Sequence, residues 1–226
     1  MEDILCNNLR VKHFVNSPVP SNAYLVIDEA EGRCIAIDPG SKEQTSMREF
    51  ISSHGIMLEF IFLTHEHFDH CWGVNFLKDY FPKAEVVATK LCAEWVETPM
   101  NYFNKLFFDS EEMFSSHVDV LAEEIGWHLT WCGNDIRLID AKGHTNGGMC
   151  INVGNTLFCG DTMIFKTNPL LKKKYGASIE DLKRTIKGIY HTFSGNTIVC
   201  PGHGDSFRLN EMQLFYEEYF KERGVV

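Results

Sequence analysis

The 226-residue sequence has no apolar run approaching the roughly 18 uninterrupted residues that a membrane-spanning helix needs. Its first residues are acidic where a secretory signal peptide carries lysine or arginine, and no long apolar stretch follows them. We therefore expect a cytoplasmic protein with no membrane partner. Positive charge is also scarce. Only 21 basic residues oppose 31 acidic ones, and the net charge of −10 argues against a nucleic-acid partner.

The sequence also lacks repeats, low-complexity tracts and linkers, so residues 1–226 are expected to form one domain. A hydrophobic content of 44% with 23% charged residues excludes a disordered or fibrous chain. The eight cysteines include no C-x-x-C pair and show no regular interval. In a reducing compartment they are expected to be free thiols, several of them small core residues of strands.

Short apolar segments alternate with segments of helical periodicity along the chain. The predicted strands are Leu9–Val15, Asn22–Ile27, Arg33–Ile37, Leu58–Leu63, Ala84–Ala88, Trp127–Trp131, Asp135–Ala141, Met149–Val153, Thr156–Cys159 and Thr197–Cys200. Helices are predicted over Gln44–His54, Cys71–Tyr80 and Asn210–Lys221, and another is expected to begin after Ser178. Strands in two groups with helices between them indicate two sheets covered by helices, although periodicity alone also allows other α/β layouts.

Four short segments at predicted strand ends carry five of the ten histidines. The richest has four residues of metal-binding type within six positions: His65, His67, Asp69 and His70. Because the first three are two residues apart, they fit a loop that folds around a common centre rather than one face of a helix. The other segments contain His144, Asp161 and His203, and a glycine directly precedes each of these residues. Glycine lets the backbone turn sharply or approach a site closely.

Five imidazoles and two carboxylates are the nitrogen and oxygen ligands that suit zinc, iron or manganese. Seven ligands are too many for one tetrahedral ion but suit two ions that share a bridging carboxylate. The side chains of Glu66 and Phe68 are expected to point away from the ligands. The remaining histidines are interpreted as ordinary structural or surface residues: His13, His54, His117, His128 and His191.

These motifs resemble those of the metallo-β-lactamase superfamily in content and order: Asp38 in Ile37-Asp-Pro-Gly40, the His-x-His-x-Asp-His loop, Gly-His-Thr, Gly-Asp and a C-terminal Gly-His. The resemblance runs from about Asn22 to Gly204. It implies a four-layer αββα sandwich with the metal site at one edge of two packed sheets. It also implies that His65, His67 and His144 hold one metal, that Asp69, His70 and His203 hold the second, and that Asp161 bridges them. Asp38 and Thr145 would orient metal ligands.

Within the superfamily, three motifs are similar to those of the glyoxalase II-like thioester hydrolases: Thr-His-x-His-x-Asp-His, Phe-x-Gly-Asp-Thr and Pro-Gly-His-Gly. The resemblance implies two Zn²⁺ ions, or iron or manganese, and a metal-bridging hydroxide that cleaves a thioester or ester of a small-molecule substrate. Asp69 and Asp161 would be the catalytic carboxylates. Two alternatives stay open: a mononuclear iron enzyme similar to the persulfide dioxygenases, and a lactone hydrolase.

Two departures from the glyoxalase II pattern concern the substrate. The stretch after Gly204 has room for one helix rather than a helical glutathione-binding region, and the Gly-Arg element after Gly-Asp-Thr is absent. A basic run stands in that region, in which Lys173 and Tyr175 are candidate contacts for an anionic substrate tail; a solvated basic patch is the alternative.

A helical insertion is expected at about residues 93–125, where the superfamily usually needs only a short connection. Asp109-Ser-Glu-Glu112 resembles a helix start, and Phe114, Val118, Leu121 and Ile125 follow at helical spacing. The segment is also rich in aromatic residues. A substrate-facing lid, a homodimer contact and plain core packing are the three interpretations.

Overall fold

A computed structural model describes residues 4–6, 8–99, 113–173 and 176–225. Over these residues, thirteen strands form two sheets. The first sheet has seven strands in chain order: β1 Ile4–Cys6, β2 Leu9–Val15, β3 Asn22–Asp28, β4 Arg33–Ile37, β5 Met57–Phe62, β6 Glu85–Ala88 and β7 Val120–Leu121. The second has six: β8 His128–Trp131, β9 Asn134–Asp140, β10 Met149–Val153, β11 Thr156–Gly160, β12 Ile198–Pro201 and β13 Phe207–Arg208. Neighbours in the second sheet also follow one another in the chain.

The described helices are α1 Thr45–Ser53, α2 Phe68–Cys71, α3 Val74–Tyr80, α4 Lys90–Val96, α5 Ile179–Thr192 and α6 Gln213–Glu222, with a 3₁₀ turn at Leu209–Met212. The longest, α5, begins as predicted, because the Ser178 hydroxyl accepts a hydrogen bond from the Asp181 amide over 3.1 Å. None of the helices among these residues combines the length and apolar character needed to cross a membrane.

Three apolar cores separate four layers, which confirms the αββα sandwich. In β3 the side chains alternate: Leu25 and Ile27 face the core shared with α1, α3 and α4, whereas Tyr24 and Val26 face the core between the sheets. The third core lies between the second sheet and the helices α5 and α6. Because both faces of the central strands are covered, their sequences read as continuous apolar runs.

The strand directions bring the ligand-bearing segments to one edge. Strand β5 runs parallel to β4 and β6, and β12 runs parallel to β11. The carboxyl ends of parallel strands meet at the same edge of a sheet. Asp38 follows β4, Asp161 follows β11, and His203 comes two residues after β12.

The helix predicted from the spacing of Phe114, Val118, Leu121 and Ile125 is wrong over the described residues. Residues 113–119 have no regular secondary structure, and Val120–Leu121 forms β7, parallel to β6. The unpaired edge of β6 explains the difference, since pairing it satisfies backbone groups that a helix would leave open. Phe114 and Val118 are nevertheless buried against the first core.

The proposed insertion at 93–125 also includes the C-terminal part of α4, a helix that the sequence analysis did not predict. Ala93 lies in α4, which begins where the Thr89 hydroxyl accepts a hydrogen bond from the Cys92 amide over 3.1 Å. Residues 100–112, with most of the aromatic surplus, lie outside the described residues. The lid and dimer interpretations therefore stay predictions.

Candidate metal centre

The loop after β5 places four of the predicted ligands together. His65 is three residues beyond the strand, His67 directly precedes α2, and Asp69 and His70 lie inside that helix. All except His67 are buried. The remaining three donors come from other strand ends, as the sequence predicted.

The seven candidate donors form two neighbouring groups. One ligand atom from each member of a group lies within 4.8 Å of the others: His65, His67, His144 and Asp161 in the first, and Asp69, His70 and His203 in the second. These are the two sets that the family resemblance implies. Their ligand roles stay a prediction, but the tertiary fold brings all seven side chains together.

Asp161 lies between the two groups. Its Oδ2 atom is 3.5 Å from Nε2 of His144 and 3.6 Å from Nε2 of His203, while its Oδ1 atom is 3.7 Å from Nε2 of His70. A carboxylate that faces both groups has the position expected of a bridge between two ions. The bridging role is still a prediction.

Buried polar atoms in the cluster indicate that a cation fits there. Nε2 of His65, Nε2 of His70 and Oδ1 of Asp161 are buried and have no hydrogen-bond partner within the described residues. Buried polar atoms are normally satisfied, and each exception calls for an explanation such as an ion. A divalent ion coordinated by these nitrogen and oxygen atoms would satisfy them.

Asp38 connects the metal loop to the first sheet. Its Oδ1 atom accepts a hydrogen bond from the Thr64 amide over 2.7 Å, and its Oδ2 atom accepts from the Thr64 hydroxyl over 2.6 Å and from Nδ1 of His70 over 2.9 Å. Since that hydroxyl donates to a carboxylate, it accepts from Nδ1 of His65, which is 3.0 Å away. Both imidazoles therefore carry a proton on Nδ1 and turn Nε2 toward the cluster.

Backbone carbonyls orient two other imidazoles. Nδ1 of His144 donates to the Leu170 carbonyl over 2.9 Å, and Nδ1 of His203 donates to the Pro20 carbonyl over 3.3 Å. A carbonyl oxygen only accepts, so each ring carries a proton on Nδ1, and in its neutral form the Nε2 lone pair is available to a metal. Sequence analysis missed both partners, because any residue can supply a carbonyl.

Glycine is required at two positions beside these donors. A Cβ atom on Gly202 would lie 2.3 Å from Oδ1 of Asp161 and 2.7 Å from Cε1 of His70. Gly160 has a φ of 48°, and a Cβ atom there would lie 2.4 Å from Oγ1 of Thr64. The close approach expected from the glycine before each ligand is present at both sites.

The pKa values of the first group favour the metal-binding form. Burial, followed by the charge of neighbouring imidazoles, lowers the pKa of His65 and of His67 well below the usual histidine value. Burial also lowers the pKa of His144, although Asp161 opposes this shift. Neutral imidazole is the form that binds a metal ion.

In the second group, neighbouring charges outweigh the effect of burial on the pKa values. Burial lowers the pKa of His70, but Asp69, Asp38 and Asp161 outweigh it and raise the pKa to about 10. Burial likewise opposes ionisation of Asp69, yet His70 and His203 hold its pKa well below the usual range. The carboxylates around His70 therefore favour positive charge at this position.

Glu66 and Thr145 lie behind the metal loop. The Thr145 hydroxyl donates to Oε2 of Glu66 over 3.0 Å, and burial raises the pKa of Glu66 to about 7. Glu66 is in none of the possible metal-ligand groups of the described residues. Thr145 thus contacts this glutamate, and its predicted effect on a metal ligand stays a prediction.

Of the two predicted substrate contacts, only Lys173 lies among the described residues. Lys173 is exposed on the segment that follows Leu170, whose carbonyl accepts the His144 hydrogen bond. Tyr175 lies outside the described residues. The substrate roles of both residues stay predictions.

Asn22 is a site-supporting residue that sequence analysis missed. Its Nδ2 atom donates to the carbonyls of Pro201 and Gly204 over 2.9 and 2.8 Å, and its backbone amide donates to Gly202 over 2.7 Å. These bonds hold the turn that carries His203. Asn22 starts β3 and lies 179 residues from Pro201, so no local pattern could have indicated the contact.

His117 and His128 were predicted not to be ligands. His117 is 78% exposed, with Nδ1 2.7 Å from Oε1 of Glu97, and His128 pairs with Asp135 at the surface. Neither histidine belongs to a ligand group within the residues that the structure describes.

All eight cysteines are free thiols, as expected.

The four-layer sandwich and the histidine–aspartate cluster at its edge define a fold and site of the metallo-β-lactamase type. A family model of the metallo-β-lactamase superfamily matches residues 16–203, and the chain belongs to this superfamily. A curated protein of Aeromonas hydrophila subsp. hydrophila, named hydroxyacylglutathione hydrolase, is 29% identical over 149 residues, which are 66% of this chain and 50% of that protein. The match thus spans about half the length of this relative and supports the glyoxalase II-like resemblance.

Solved structures share the fold at lower identity. The BLEG-1 B3 metallo-beta-lactamase superposes with a TM-score of 0.79 at 22% identity, covering 89% of this chain and 95% of that one. The protein TTHA1623, solved in a di-iron-bound form, superposes with a TM-score of 0.70 at 22% identity, covering 89% of this chain and 96% of that one. At these identities the likeness concerns the fold alone.

Proposed function

We propose that the protein is a metal-dependent hydrolase that binds two divalent ions and cleaves a thioester or ester of a small molecule. The observation that carries the proposal is the pair of donor groups on either side of Asp161, with buried donor atoms that have no hydrogen-bond partner among the described residues. His65, His67 and His144 would hold one ion, and Asp69, His70 and His203 the other. Ions in these positions would lower the pKa of water toward neutrality and polarise a carbonyl group.

The chain's own residues have distinct roles in this proposal. Asp161 would face both ions with its two oxygens. Asp69, kept ionised beside His70, would accept a hydrogen bond from water and so orient it for attack. Its Oδ2 atom lies 3.3 Å from Nε2 of His203 and 3.6 Å from Nε2 of His70, so one carboxylate oxygen lies beside both imidazoles of its group. Asp38 would maintain His70 in the required tautomer.

A thioester is the favoured substrate class because the curated relative is named a hydroxyacylglutathione hydrolase. The match covers half of that relative, so the proposal concerns the thioester bond and leaves the thiol portion of the substrate open. Lys173 and Tyr175 remain the candidate contacts for an anionic tail.

The proposal is tested with protein stripped of metal by a chelator and reloaded separately with zinc, iron or manganese. An acyl-glutathione thioester, an aryl ester and a lactone are offered in parallel, and release of thiol, phenol or acid is measured. Metal-dependent thiol release that exceeds the other two activities is expected. Preferred opening of the lactone would contradict the substrate class and favour the lactone hydrolase.

Oxygen consumption distinguishes the oxidative alternative. Glutathione persulfide is added to the iron-loaded protein in an oxygen-electrode cell, and thioester hydrolysis is measured on the same sample. We expect hydrolysis without oxygen uptake. Uptake of oxygen without hydrolysis would instead support the dioxygenase interpretation.

A further inference from the structure

A groove separates α5 from α6 on the helix layer outside the second sheet. It has a volume of about 400 Å³, and its walls include Ile186, Tyr190, Tyr216 and Phe220. None of the residues that form it belongs to the metal-ligand groups of the described chain. Mostly apolar grooves of this size with a few polar groups are typical small-molecule sites.

One polar atom in the groove wall has no partner. Oη of Tyr190 is buried and makes no hydrogen bond to the described residues. Burial, followed by the charge of Glu217, raises the pKa of this hydroxyl, so it stays protonated and keeps a hydrogen to donate. A buried hydroxyl without a hydrogen-bond partner destabilises the folded protein. An acceptor atom supplied by a ligand would remove that destabilisation.

Lysines gather at the same groove. Lys183, Lys187 and Lys221 line it, and Glu217 is the single carboxylate-bearing residue in the lining among the described residues, in a chain whose net charge is −10. Nζ of Lys183 donates to the Val225 carbonyl, and desolvation and the nearby charge of Lys187 lower the pKa of Lys183. Within the described part of the chain, no carboxylate lies within ion-pair distance of Lys187 or Lys221. The groove thus has a local excess of positive charge beside an apolar floor.

We propose that this groove binds a small anionic amphiphile, a carboxylate that carries an alkyl chain. The carboxylate would lie among Lys183, Lys187 and Lys221, with one oxygen accepting a hydrogen bond from Tyr190. The alkyl chain would lie against Ile186 and Phe220. A neutral amphiphile would leave the lysines unused, and a small polar anion would leave the apolar walls in water.

Calorimetric titration of the whole chain with octanoate tests the proposal. 1-Octanol has the same chain without the charge, and acetate has the charge without the chain. Saturable binding of one octanoate per chain is expected, at least roughly tenfold tighter than either comparator, and weakened by added salt. Octanol binding as tightly as octanoate would overturn the anionic specificity, and absence of saturable octanoate binding would overturn the site.

Two charge reversals on the same helix locate the site. Lys187→Glu changes an exposed groove lysine, whereas Arg184→Glu changes an exposed arginine that pairs with Asp181 and lines a different groove. Lys187→Glu should weaken octanoate binding roughly tenfold, and Arg184→Glu should leave it unchanged. Equal weakening by both variants would show a non-specific effect of net charge and overturn the assignment.

Tyr190→Phe provides a test that does not alter charge. Removing only the hydroxyl should weaken octanoate binding several-fold, because the carboxylate loses its donor. Circular dichroism and the thermal midpoint verify that each variant is folded. An unchanged octanoate affinity in folded Tyr190→Phe would contradict the proposed orientation of the ligand.

Discussion

Oδ2 of Asp38 accepts a hydrogen bond from Nδ1 of His70 over 2.9 Å, and neither side chain is more than 2% exposed. The bond crosses from the end of β4 to the short helix α2 and leaves Nε2 of His70 directed at the second donor group. Asp38 thereby connects the first sheet to the candidate metal centre without occupying a position of its own among the seven predicted ligands.

Replacing Asp38 with asparagine should weaken metal binding at the second group by roughly 10–100-fold, because partners of ligand histidines typically contribute this much. Competition with a chelator of known affinity measures the loss. Asp28→Asn is the matched control: Asp28 is also buried at a strand end, but its carboxylate accepts from the Asn8 side chain and the Glu31 backbone amide. Equal metal loss in both variants would contradict the role of Asp38.

Asp161→Asn tests the bridge. An amide is a poor bridging ligand, so we expect metal stoichiometry to fall by about one ion per chain or turnover to fall by orders of magnitude. Elemental analysis and the thioester assay provide the two measurements. The control is Asp140→Asn, which removes a half-exposed carboxylate paired with Lys142. Full metal content and full rate in Asp161→Asn would rule out the bridging assignment.

His128→Gln and His117→Gln should each retain the full metal content, because their partners are surface carboxylates rather than the clustered donors. Elemental analysis of the purified variants measures this directly. Loss of a whole equivalent of metal from either one would mean that a ligand had been missed.

Gly202→Ala should impair metal binding severely, because the new Cβ atom would lie 2.3 Å from Oδ1 of Asp161. The same substitution at Gly188, where a Cβ atom meets nothing within 4 Å, is the control. Since Gly188 lies inside α5, Gly188→Ala should raise the free energy of unfolding by roughly 0.5–1 kcal/mol and leave metal content unchanged. Normal metal content in Gly202→Ala would show that the loop can move aside.

The contribution of Asp119 to stability should depend on pH. Burial opposes ionisation, but the Val86 amide and Lys78 lower the pKa of Asp119 in the folded chain. Because the folded pKa lies below the unfolded value of about 3.9, the stabilisation is present above that value and is lost as pH falls through the folded pKa. Asp119→Asn should therefore destabilise the chain at neutral pH and progressively less in acid.

Urea unfolding of metal-free protein at several pH values measures this difference without interference from the metal centre. A difference between wild type and Asp119→Asn that stayed constant from neutral pH to below about 4 would contradict the assigned ionic contribution.

Most strands and the metal-ligand motifs could be predicted from sequence because their signals are local. The strand Arg33–Ile37 has the predicted bounds, and Gly154-Asn155 forms the predicted turn between β10 and β11. The predicted helix from Cys71 was less accurate, since two short helices, Phe68–Cys71 and Val74–Tyr80, replace it. Helix ends depend on the loop that folds around the centre as well as on periodicity.

The sequence by itself determined which residue types lie at the strand ends. Apolar runs, turn residues and ligand motifs each occupy only a few consecutive positions, so they can be recognised locally. Only the tertiary structure decided that Val120–Leu121 pairs with β6 instead of continuing a helix, since an open strand edge outweighs local helical spacing. The tertiary structure alone also decided that the carbonyls of Leu170 and Pro20 accept hydrogen bonds from His144 and His203. Every residue has a carbonyl group, so proximity in the folded chain, and not residue type, selects the one that orients each imidazole.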